Sequence, residues 1–445
     1  MMFYVGKIRR VIGPVFLNPK QLIARLKNSG FARNFSIVFS GAIIAQLIGF
    51  ALAPILGRIY DPALFGIFGL FASIAGSTGC IASLRYEQGI MLTDDERNIW
   101  ALQRLSIFIA LCISCMTAIG VTVALLVAPD YFQGIQGWLW VFGVWFFVMG
   151  SGLVAIFQVH ASRKKKFNLI SMATVLRTLF TNGTQCLVGF WNATGLVTGA
   201  LVGLAVGLIP YASLARKKES AFENSGQVGE PKSSRELAKE FIDFPKYNAP
   251  QGLMNSLNMN SPIIVLASFN PATAGAYLMT VRLMQRPMSM VTAPLRQVFY
   301  QHASELHRTA PHQLTNLYRK TTLLLAAIVV LPAIAVAIGG PALFEFVLGP
   351  KWTETGVLAR WVVLWLSVVF MNVPAVMTGR ILRLEKSLLY YNFVLMVSRV
   401  AALLLGCWLA DPITGIAAFC VVGFIFNVLL ILWVDKKTQQ IKVTV

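Results

Sequence analysis

The chain of 445 residues is 56% hydrophobic and only 13% charged, and its mean hydropathy is +0.68. Because a soluble domain has about a quarter of its residues charged, this composition excludes an ordinary soluble enzyme and indicates a multi-pass membrane protein. The net charge of +20 would favour nucleic acid in a soluble protein. Here it favours a membrane face opposed to anionic lipid, and an anionic cargo, and we expect no nucleic-acid partner.

Windows of about 20 apolar residues, enough to cross the hydrocarbon core as a helix, recur along the whole chain. The first six lie near 35–57, 63–84, 105–128, 137–158, 168–189 and 193–214, and the second six near 248–269, 272–297, 321–348, 357–379, 388–409 and 413–434. We therefore predict an all-α polytopic membrane protein with about 12 transmembrane helices.

Lysine and arginine gather at one end of the predicted spans. The segment before the first span, the even-numbered connections and the tail hold 31 of the 38 basic residues, whereas the opposite end has only Arg58 and Lys351. Basic residues favour the cytoplasmic side. The bias therefore predicts an even number of spans, with both termini in the cytoplasm.

The longest connection, 215–247, divides the chain into halves. Its first part is polar and rich in Gly, Pro and Ser, as in a flexible linker, and an amphipathic helix is predicted over 234–245 with Leu237, Phe241 and Phe244 on one face. The predicted organisation is a cytoplasmic or interfacial segment at 1–34 with a short helix over 18–27, six-helix bundles at 35–214 and 248–434 joined by the linker at 215–247, and a cytoplasmic tail at 435–445.

One short pattern occurs once in each half, as RIYDPALFGIFGL at 58–70 and ASFNPATAGAYLM at 267–279. Both copies contain an aromatic residue, then Asx, Pro and Ala, and three residues later a glycine. This glycine is Gly66 in the first copy and Gly275 in the second. Proline can begin a helix, and glycine lets two helices approach closely. The repeat predicts two bundles of the same topology, related by a pseudo-twofold axis along the membrane normal, and transporters with such repeats hold cargo between them.

Five arginines fall within the predicted spans, where charge is costly: Arg177, Arg282, Arg286, Arg360 and Arg399. No Asp or Glu falls in the middle of a span, so these cations have no obvious carboxylate partner. Either they bond to helix carbonyls, or they face a watery cavity and an anionic cargo, for which diphosphate matches the guanidinium fork. All except Arg360, which can reach the outer surface, are candidate diphosphate-binding residues.

Other polar or helix-bending residues also lie within spans. Gln46 lies in the first span, and Gln251, Asn255 and Asn258 recur at helical spacing in the seventh, where they either bind sugar hydroxyls or join helices. Pro262 and Pro287 are candidate gating or hinge positions. The Asn-Gly-Thr at 182–184 lies within a span, so glycosylation is not expected there. We predict no catalytic residue, metal site or cofactor.

Residues 244–306, from FPKYNAPQGLMNS to YQHASEL, resemble the central signature of bacterial oligosaccharide flippases, the polysaccharide-transporter branch of the MOP superfamily that includes the O-antigen flippases. GRIYDPALFGIFGLFAS at 57–73, LRYEQGIML at 84–92 and GPKWTETGVLAR at 349–360 agree with this resemblance. The resemblance implies two lobes in a V shape, with the first, second, seventh and eighth helices lining a cavity that carries cationic residues.

The resemblance also implies a function. The cargo would be an undecaprenyl-diphosphate-linked oligosaccharide, moved by alternating access from the cytoplasmic to the periplasmic leaflet of the bacterial inner membrane for O-antigen, capsule or exopolysaccharide assembly. Membrane lipids, and the polymerase and chain-length components of a polysaccharide assembly system, are the expected partners. Coupling to protons or another ion is left open.

Three alternatives stay open. A multidrug antiporter of the MATE kind has the same fold, but such antiporters usually carry an intramembrane acid where this chain has Gln46. A membrane glycosyltransferase or polymerase is disfavoured, because the outer loops are too short for catalytic residues. A general twelve-helix sugar or drug carrier is disfavoured by the 84–97 connection, which lacks the Gly/Asp/Arg pattern of that fold.

Overall fold

The computed structural model describes residues 30–93, 95–132, 134–189, 194–215 and 233–443. The expected helix over 18–27 and the flexible part of the linker lie outside the described residues. Within them, the secondary structure consists of helices and turns, without a strand.

Long helices account for most of each half. The first half has α1 (Gly30–Ala51, continued after Leu52 by Ala53–Ile59), α2 (Pro62–Gly79), α3 (Glu96–Val127), α4 (Gly137–Arg163), α5 (Phe167–Gly189) and α6 (Gly195–Leu208). The second half has α7 (Ala249–Phe269), α8 (Pro271–Thr309), α9 (Pro311–Leu348), α10 (Thr353–Met371, continued after Asn372 by Val373–Ile381), α11 (Glu385–Leu409) and α12 (Pro412–Val443).

Each predicted span overlaps one of these long helices, which confirms the all-helical fold. Nine stretches of the described chain are long and apolar enough to cross a membrane by length and composition. They leave out α5, α7 and α8, the three helices that carry most of the polar residues singled out in the sequence. Polar side chains within the membrane must be covered by protein or face a cavity, so the polar faces of these three helices are expected to turn toward the rest of the bundle.

Some helix boundaries differ from the predicted spans. The helices α8 and α9 extend about ten residues beyond the apolar windows, to Thr309 and from Pro311, because backbone hydrogen bonds continue a helix regardless of side-chain polarity. The second span is shorter than predicted. It ends at Gly79, since Leu84 and Arg85 have left-handed backbone angles (φ 48° and 66°) that no helix accommodates.

The two ends of the bundle are distinct. We call the end that carries the two Asx-Pro sequences the corner end, and the opposite end the linker end. At the corner end, Pro62 and Pro271 begin α2 and α8, and the side chain of Asn270 caps α8 by accepting from the backbone N–H of Ala272 at 2.9 Å. Proline thus begins both helices, as the repeat predicted.

The two halves have the same internal packing. The pairs α1–α5, α3–α4 and α5–α6 of the first half recur as α7–α11, α9–α10 and α11–α12 in the second. Even turn geometry repeats, since Lys165 after α4 and Arg383 after α10 both have φ 54°. The molecule therefore consists of two six-helix bundles related by a pseudo-twofold axis.

A short helix, Ser234–Glu240, packs against the first half just before α7 and is called the linker helix. Its residue Leu237 is buried, and the following Phe241 packs with it against the 3-10 turn Tyr86–Met91. The helix ends before the predicted 245 because the chain passes into a π-helical turn, Phe244–Asn248, that leads into α7. The second half is thereby attached to the first at the linker end.

Candidate functional site

The two halves meet most closely at the corner end, where α2 crosses α8. A Cβ atom built on Gly66 would lie 1.8 Å from the carbonyl oxygen of Pro271, and one on Gly275 would lie 1.8 Å from that of Pro62. Only glycine allows this backbone-to-backbone contact. Since each motif contacts the other in the same way, the pseudo-twofold axis passes between them.

Side chains close the corner end around this crossing. The ammonium of Lys351 lies 2.6 Å from the carboxylate of Asp61, and the indole N–H of Trp352 donates to the carbonyl of Gly57 at 2.6 Å. The hydroxyl of Tyr131 donates to the carbonyl of Ile264. All three contacts join the first half to the second, so access between the halves from the corner end is blocked.

The two seams beside the axis are unequal. Between α2 and α7, the amide of Asn260 donates to the hydroxyl of Ser77 at 3.1 Å, and nearer the linker end that of Asn248 donates to Gln88 at 3.0 Å. Under the pseudosymmetry α1 corresponds to α7 and α8 corresponds to α2, so the contact between α1 and α8 is the equivalent of the contact between α2 and α7. The helices α1 and α8 nevertheless pack against each other much less closely than α2 and α7 do. The asymmetry leaves the α1–α8 seam as the looser side of the molecule.

Arg282 of α8 lies where the second half meets the first. Its guanidinium donates to the side-chain oxygen of Asn182 on α5 at 2.9 Å. Asn182 is 2% exposed, and its amide nitrogen donates back to the carbonyl of Thr178. The partner of Arg282 is therefore neutral, and the guanidinium keeps its positive charge and further N–H donors available.

Arg286 lies one turn further along α8 and faces α1. A Cβ on Gly49 would lie 2.4 Å from its guanidinium, so this glycine makes room for the side chain. One terminal nitrogen of Arg286 is buried without a hydrogen-bond partner among the described residues. Beside it, the hydroxyl of Ser289 donates to Gln46 of α1 at 3.0 Å. The α1–α8 seam therefore contains an incompletely paired cation.

An apolar groove of about 410 Å³ is lined by the residues that follow Arg286 on α8 and Gly49 on α1, namely Pro287 and Phe50. Phe50 of α1, Pro287 and Val291 of α8, and Pro332 of α9 line it. A half-buried cation next to an apolar groove can hold an amphipathic anion, with its charge on the guanidinium and its chain in the groove.

Arg177 and Arg399 lie inside their own halves rather than at the seam. Arg177 of α5 lies over the ring of Phe147 at 5.9 Å. Arg399 of α11, 1% exposed, lies 3.9 Å from the ring centroid of Trp365 and 3.5 Å from that of Phe419. Of the predicted arginines, Arg282 and Arg286 are thus the two that lie at the seam between the halves. Arg360 is exposed and donates to the carbonyl of Ile338 at 3.3 Å.

The polar residues of α7 face two directions. Gln251, Asn255 and Asn258 line a small space beside Asn392 of α11, within the second half. Asn260 instead crosses to the first half, through the bond to Ser77 described above. Pro262 is buried within α7 and Pro287 lines the apolar groove, and both lie in uninterrupted helices.

The acids of the described chain lie away from the paired arginines. No carboxylate among the described residues pairs with Arg282 or Arg286. Glu87 is 2% exposed, but it lies in the turn after α2, where it accepts from Ser83 and lies 3.9 Å from Arg85. The described residues contain no cluster of His, Cys, Asp or Glu that could hold a metal ion.

Sequence reasoning missed three members of the site. In the sequence, Asn182 stands out only as part of a glycosylation pattern, and Ser289 and Gly49 belong to no motif. Asn182 could have been found as a polar residue in the middle of a predicted span, the same signal that identified the arginines. Ser289 and Gly49 give no such signal, because serine and glycine are common in membrane helices.

Comparison with known proteins agrees with this architecture. The family model of polysaccharide biosynthesis proteins matches residues 55–356. A sequence search of curated proteins found no match.

Solved structures of the MOP superfamily have a similar fold. The lipid II flippase MurJ in an inward closed conformation aligns with a TM-score of 0.64 at 12% identity, over 89% of this chain and 87% of that one. An inward-facing multidrug resistance MATE transporter aligns with a TM-score of 0.57 at 12% identity, over 92% and 95%. A MOP superfamily transporter from Pyrococcus furiosus aligns with a TM-score of 0.54 at 12% identity, over 92% and 96%.

Proposed function

We propose that this chain, which belongs to the polysaccharide biosynthesis protein family, is a multi-pass flippase of the MOP superfamily and that its cargo is an undecaprenyl-diphosphate-linked oligosaccharide. The protein moves this cargo from the cytoplasmic to the periplasmic leaflet of the bacterial inner membrane. The observation that carries the proposal is the pair of cations on α8, Arg282 and Arg286, which face the first half without a carboxylate partner among the described residues.

The chemistry of these two residues matches a diphosphate. Arg282 has only a neutral amide partner, and Arg286 has a buried nitrogen that bonds to no described residue. Two guanidinium groups one helical turn apart, about 6 Å along the axis, span the length of a diphosphate and offer bidentate hydrogen bonds to its oxygens. A bound diphosphate would supply the negative charge that this half-buried pair lacks.

The groove beside Arg286 supports a lipid-linked cargo. Its lining is apolar and runs between α8 and α9, starting at Phe50 of α1. The looser α1–α8 seam gives a lipid chain a way to stay in the membrane while the diphosphate enters between the halves. In our proposal Gln251, Asn255 and Asn258 serve the sugar portion when the halves move apart.

The corner-end closure supports a direction of transport. With the linker end in the cytoplasm, as the basic residues of the linker end favour, the molecule is closed toward the periplasm and ready to load from the cytoplasmic leaflet. Release requires the contacts at Gly66, Gly275 and Lys351 to separate. Pro262 and Pro287 are the proposed bending points, and a polymerase that receives the product is a proposed partner.

The test is transport by arginine variants of the full-length protein. Arg282→Ala, Arg286→Ala and the matching Lys and Glu variants are reconstituted in liposomes with a fluorescent lipid-diphosphate oligosaccharide. Loss of one charge-assisted contact weakens binding by about 10- to 150-fold, and Lys restores only part because it cannot form the bidentate fork. The same variants are scored in a flippase-null strain by surface glycan, normalised to membrane abundance.

Arg360→Glu is the matched control, because Arg360 is an arginine within a membrane helix that lies on the surface and bonds only to a backbone carbonyl. It should transport normally. If abundant Arg282→Glu and Arg286→Glu proteins transport as well as the Arg360 control, a diphosphate cargo bound at this pair is excluded.

A multidrug antiporter is the alternative that the fold itself allows, since MATE transporters share it. A cationic drug would be repelled by Arg282 and Arg286. An antiporter would export such drugs from cells and leave the lipid-linked oligosaccharide untouched, so a drug-accumulation assay on the same strains separates the two functions.

A further inference from the structure

A second groove lies on the surface of the second half, between the start of α11 and the end of α12 at the linker end. Its volume is about 730 Å³. Lys386, Ser387 and Tyr390 line one side, and Phe426, Leu429 and Trp433 line the other. Neither the cation pair of α8 nor the contacts between the halves involve these residues.

The lining of this groove becomes less polar from the linker end toward the interior of the membrane. From Lys386 to Val394, α11 runs about 12 Å into the membrane, so the charged and hydroxyl groups lie at the linker end and the apolar side chains lie deeper. On α12 the aromatic ring of Trp433 lies near the linker end, and Phe426 lies about two turns deeper. A cation and hydroxyl groups at the mouth, followed by aromatic and aliphatic side chains at greater depth, match the groups of a phospholipid from its head to its tail.

The mouth of the groove carries unneutralised positive charge. Lys386 is exposed and has no ion-pair partner among the described residues. Asp435, the nearest acid on α12, is already held by Arg319 at 2.7 Å. The hydroxyl oxygen of Tyr391 is buried without a hydrogen-bond partner in the described structure. The groove therefore offers a cation at its mouth to a ligand, whereas the hydroxyl of Tyr391 lies buried beneath its surface.

The equivalent place in the first half also forms a basic pocket. Lys165, Lys166 and Asn168 at the start of α5 line about 510 Å³ together with Ser213. Because α5 corresponds to α11, positive charge at this position is a property of both halves. The first-half pocket has three apolar lining residues, Ile37, Phe167 and Leu169, whereas the second-half groove has a longer aromatic and aliphatic lining from Val394 and Phe426 to Trp433.

We propose that the α11–α12 groove binds one anionic glycerophospholipid. Its headgroup phosphate contacts Lys386 and Ser387, and an acyl chain lies against Phe426 and Leu429. This lipid is a bound membrane lipid on the protein surface and not the transported cargo, since the groove is separate from Arg282 and Arg286. The site is independent of the proposed function and would exist in a protein that transports something else.

Fluorescence quenching of Trp433 tests this site. The full-length protein is reconstituted in phosphatidylcholine vesicles that contain a minor fraction of either brominated phosphatidylglycerol or brominated phosphatidylcholine. The signal of Trp433 is obtained by subtracting the Trp433→Phe protein. We expect stronger quenching by the brominated phosphatidylglycerol, and Lys386→Gln should raise the fraction needed for half-maximal quenching about fivefold.

Two matched controls use other positions. Trp408 lies on the same helix α11, near its opposite end, and is 78% exposed, so its signal should not distinguish the two lipids. Lys351→Gln removes a lysine at the corner end and should leave the Trp433 response unchanged. Equal quenching of Trp433 by both lipids, or an unchanged preference in Lys386→Gln, overturns the proposal. Absence of quenching in a protein that elutes as a dimer would assign the groove to a second copy instead.

Discussion

Gly66 and Gly275 lie against each other across the pseudo-twofold axis, each with its Cα facing the proline carbonyl that begins the other helix. The ideal Cβ position at each glycine is 1.8 Å from that oxygen. The same short motif thus forms both sides of one contact, which explains why it occurs once in each half. The contact also defines the closed corner end.

A methyl group at this crossing should destabilise the closed corner end. Gly66→Ala forces a Cβ into the backbone of Pro271, and overpacking of this kind costs about 1–3 kcal/mol. We expect a lower midpoint of thermal unfolding and lower transport. Gly76→Ala on the same helix is the matched control, because a Cβ there meets nothing within 4 Å. Equal stability of the two variants would contradict the crossing.

A carboxylate beside Arg282 should block transport. Asn182→Asp keeps the shape of the side chain but pairs with the guanidinium 2.9 Å away, so it competes with an anionic cargo for that charge. We expect cargo affinity to fall at least about tenfold. Asn427→Asp is the control, because Asn427 of α12 is a buried amide like Asn182 and its side-chain oxygen accepts from the amide of Asn372 rather than from an arginine. Normal transport by abundant Asn182→Asp protein would mean that Arg282 does not bind cargo.

Arg399 should affect stability rather than cargo binding. Its guanidinium stacks between Trp365 and Phe419 and donates to the carbonyl of Phe419 at 3.3 Å. Arg399→Lys keeps the charge but loses the planar stacking, at a cost of about 0.5–2 kcal/mol. We expect a lower unfolding midpoint with an unchanged KM for the lipid-linked cargo. A raised KM at unchanged stability would instead assign Arg399 to cargo binding, as the sequence analysis expected.

Cysteine labelling in intact cells should establish the orientation. In a background without native cysteines, Thr353→Cys at the corner end should react with an impermeant reagent, because Thr353 is exposed beside the turn that follows α9. Ser225→Cys in the linker and Gln440→Cys near the end of α12 should stay protected until the cells are opened. Labelling at 225 from outside would place the linker end in the periplasm and reverse the proposed direction of loading.

Much of the fold could be predicted, because the underlying forces are local. A helix that crosses hydrocarbon must satisfy its own backbone and carry about 20 apolar residues, and both properties can be read within a short window. The pseudosymmetry could be predicted for the same reason, because the repeated Asx-Pro motif is a short local pattern whose two copies contact each other at Gly66 and Gly275. The long polar extensions of α8 and α9 could not be seen, because hydropathy does not mark where a helix ends in water.

The site was predicted only in part. Charge in the membrane is costly whatever surrounds it, so the depth of each arginine in its span, together with the family resemblance, identified all four candidate arginines. Depth does not tell which side of a helix faces the other half. Arg282 and Arg399 were therefore equivalent in the sequence, although one meets Asn182 across the seam and the other lies between aromatic rings of its own half.

The sequence by itself determined that this protein is helical, spans a membrane repeatedly and consists of two related halves, because apolar windows and a short repeated motif act through neighbouring residues. Only the tertiary structure decided that Arg282 and Arg286 face the first half, that Asn182, 100 positions from Arg282, is a neutral partner, and that the α1–α8 seam is the loose one. These features depend on how distant helices rotate and pack against each other. The physical reason is that the packing energy of a helix pair belongs to both surfaces together, and neither surface carries it alone.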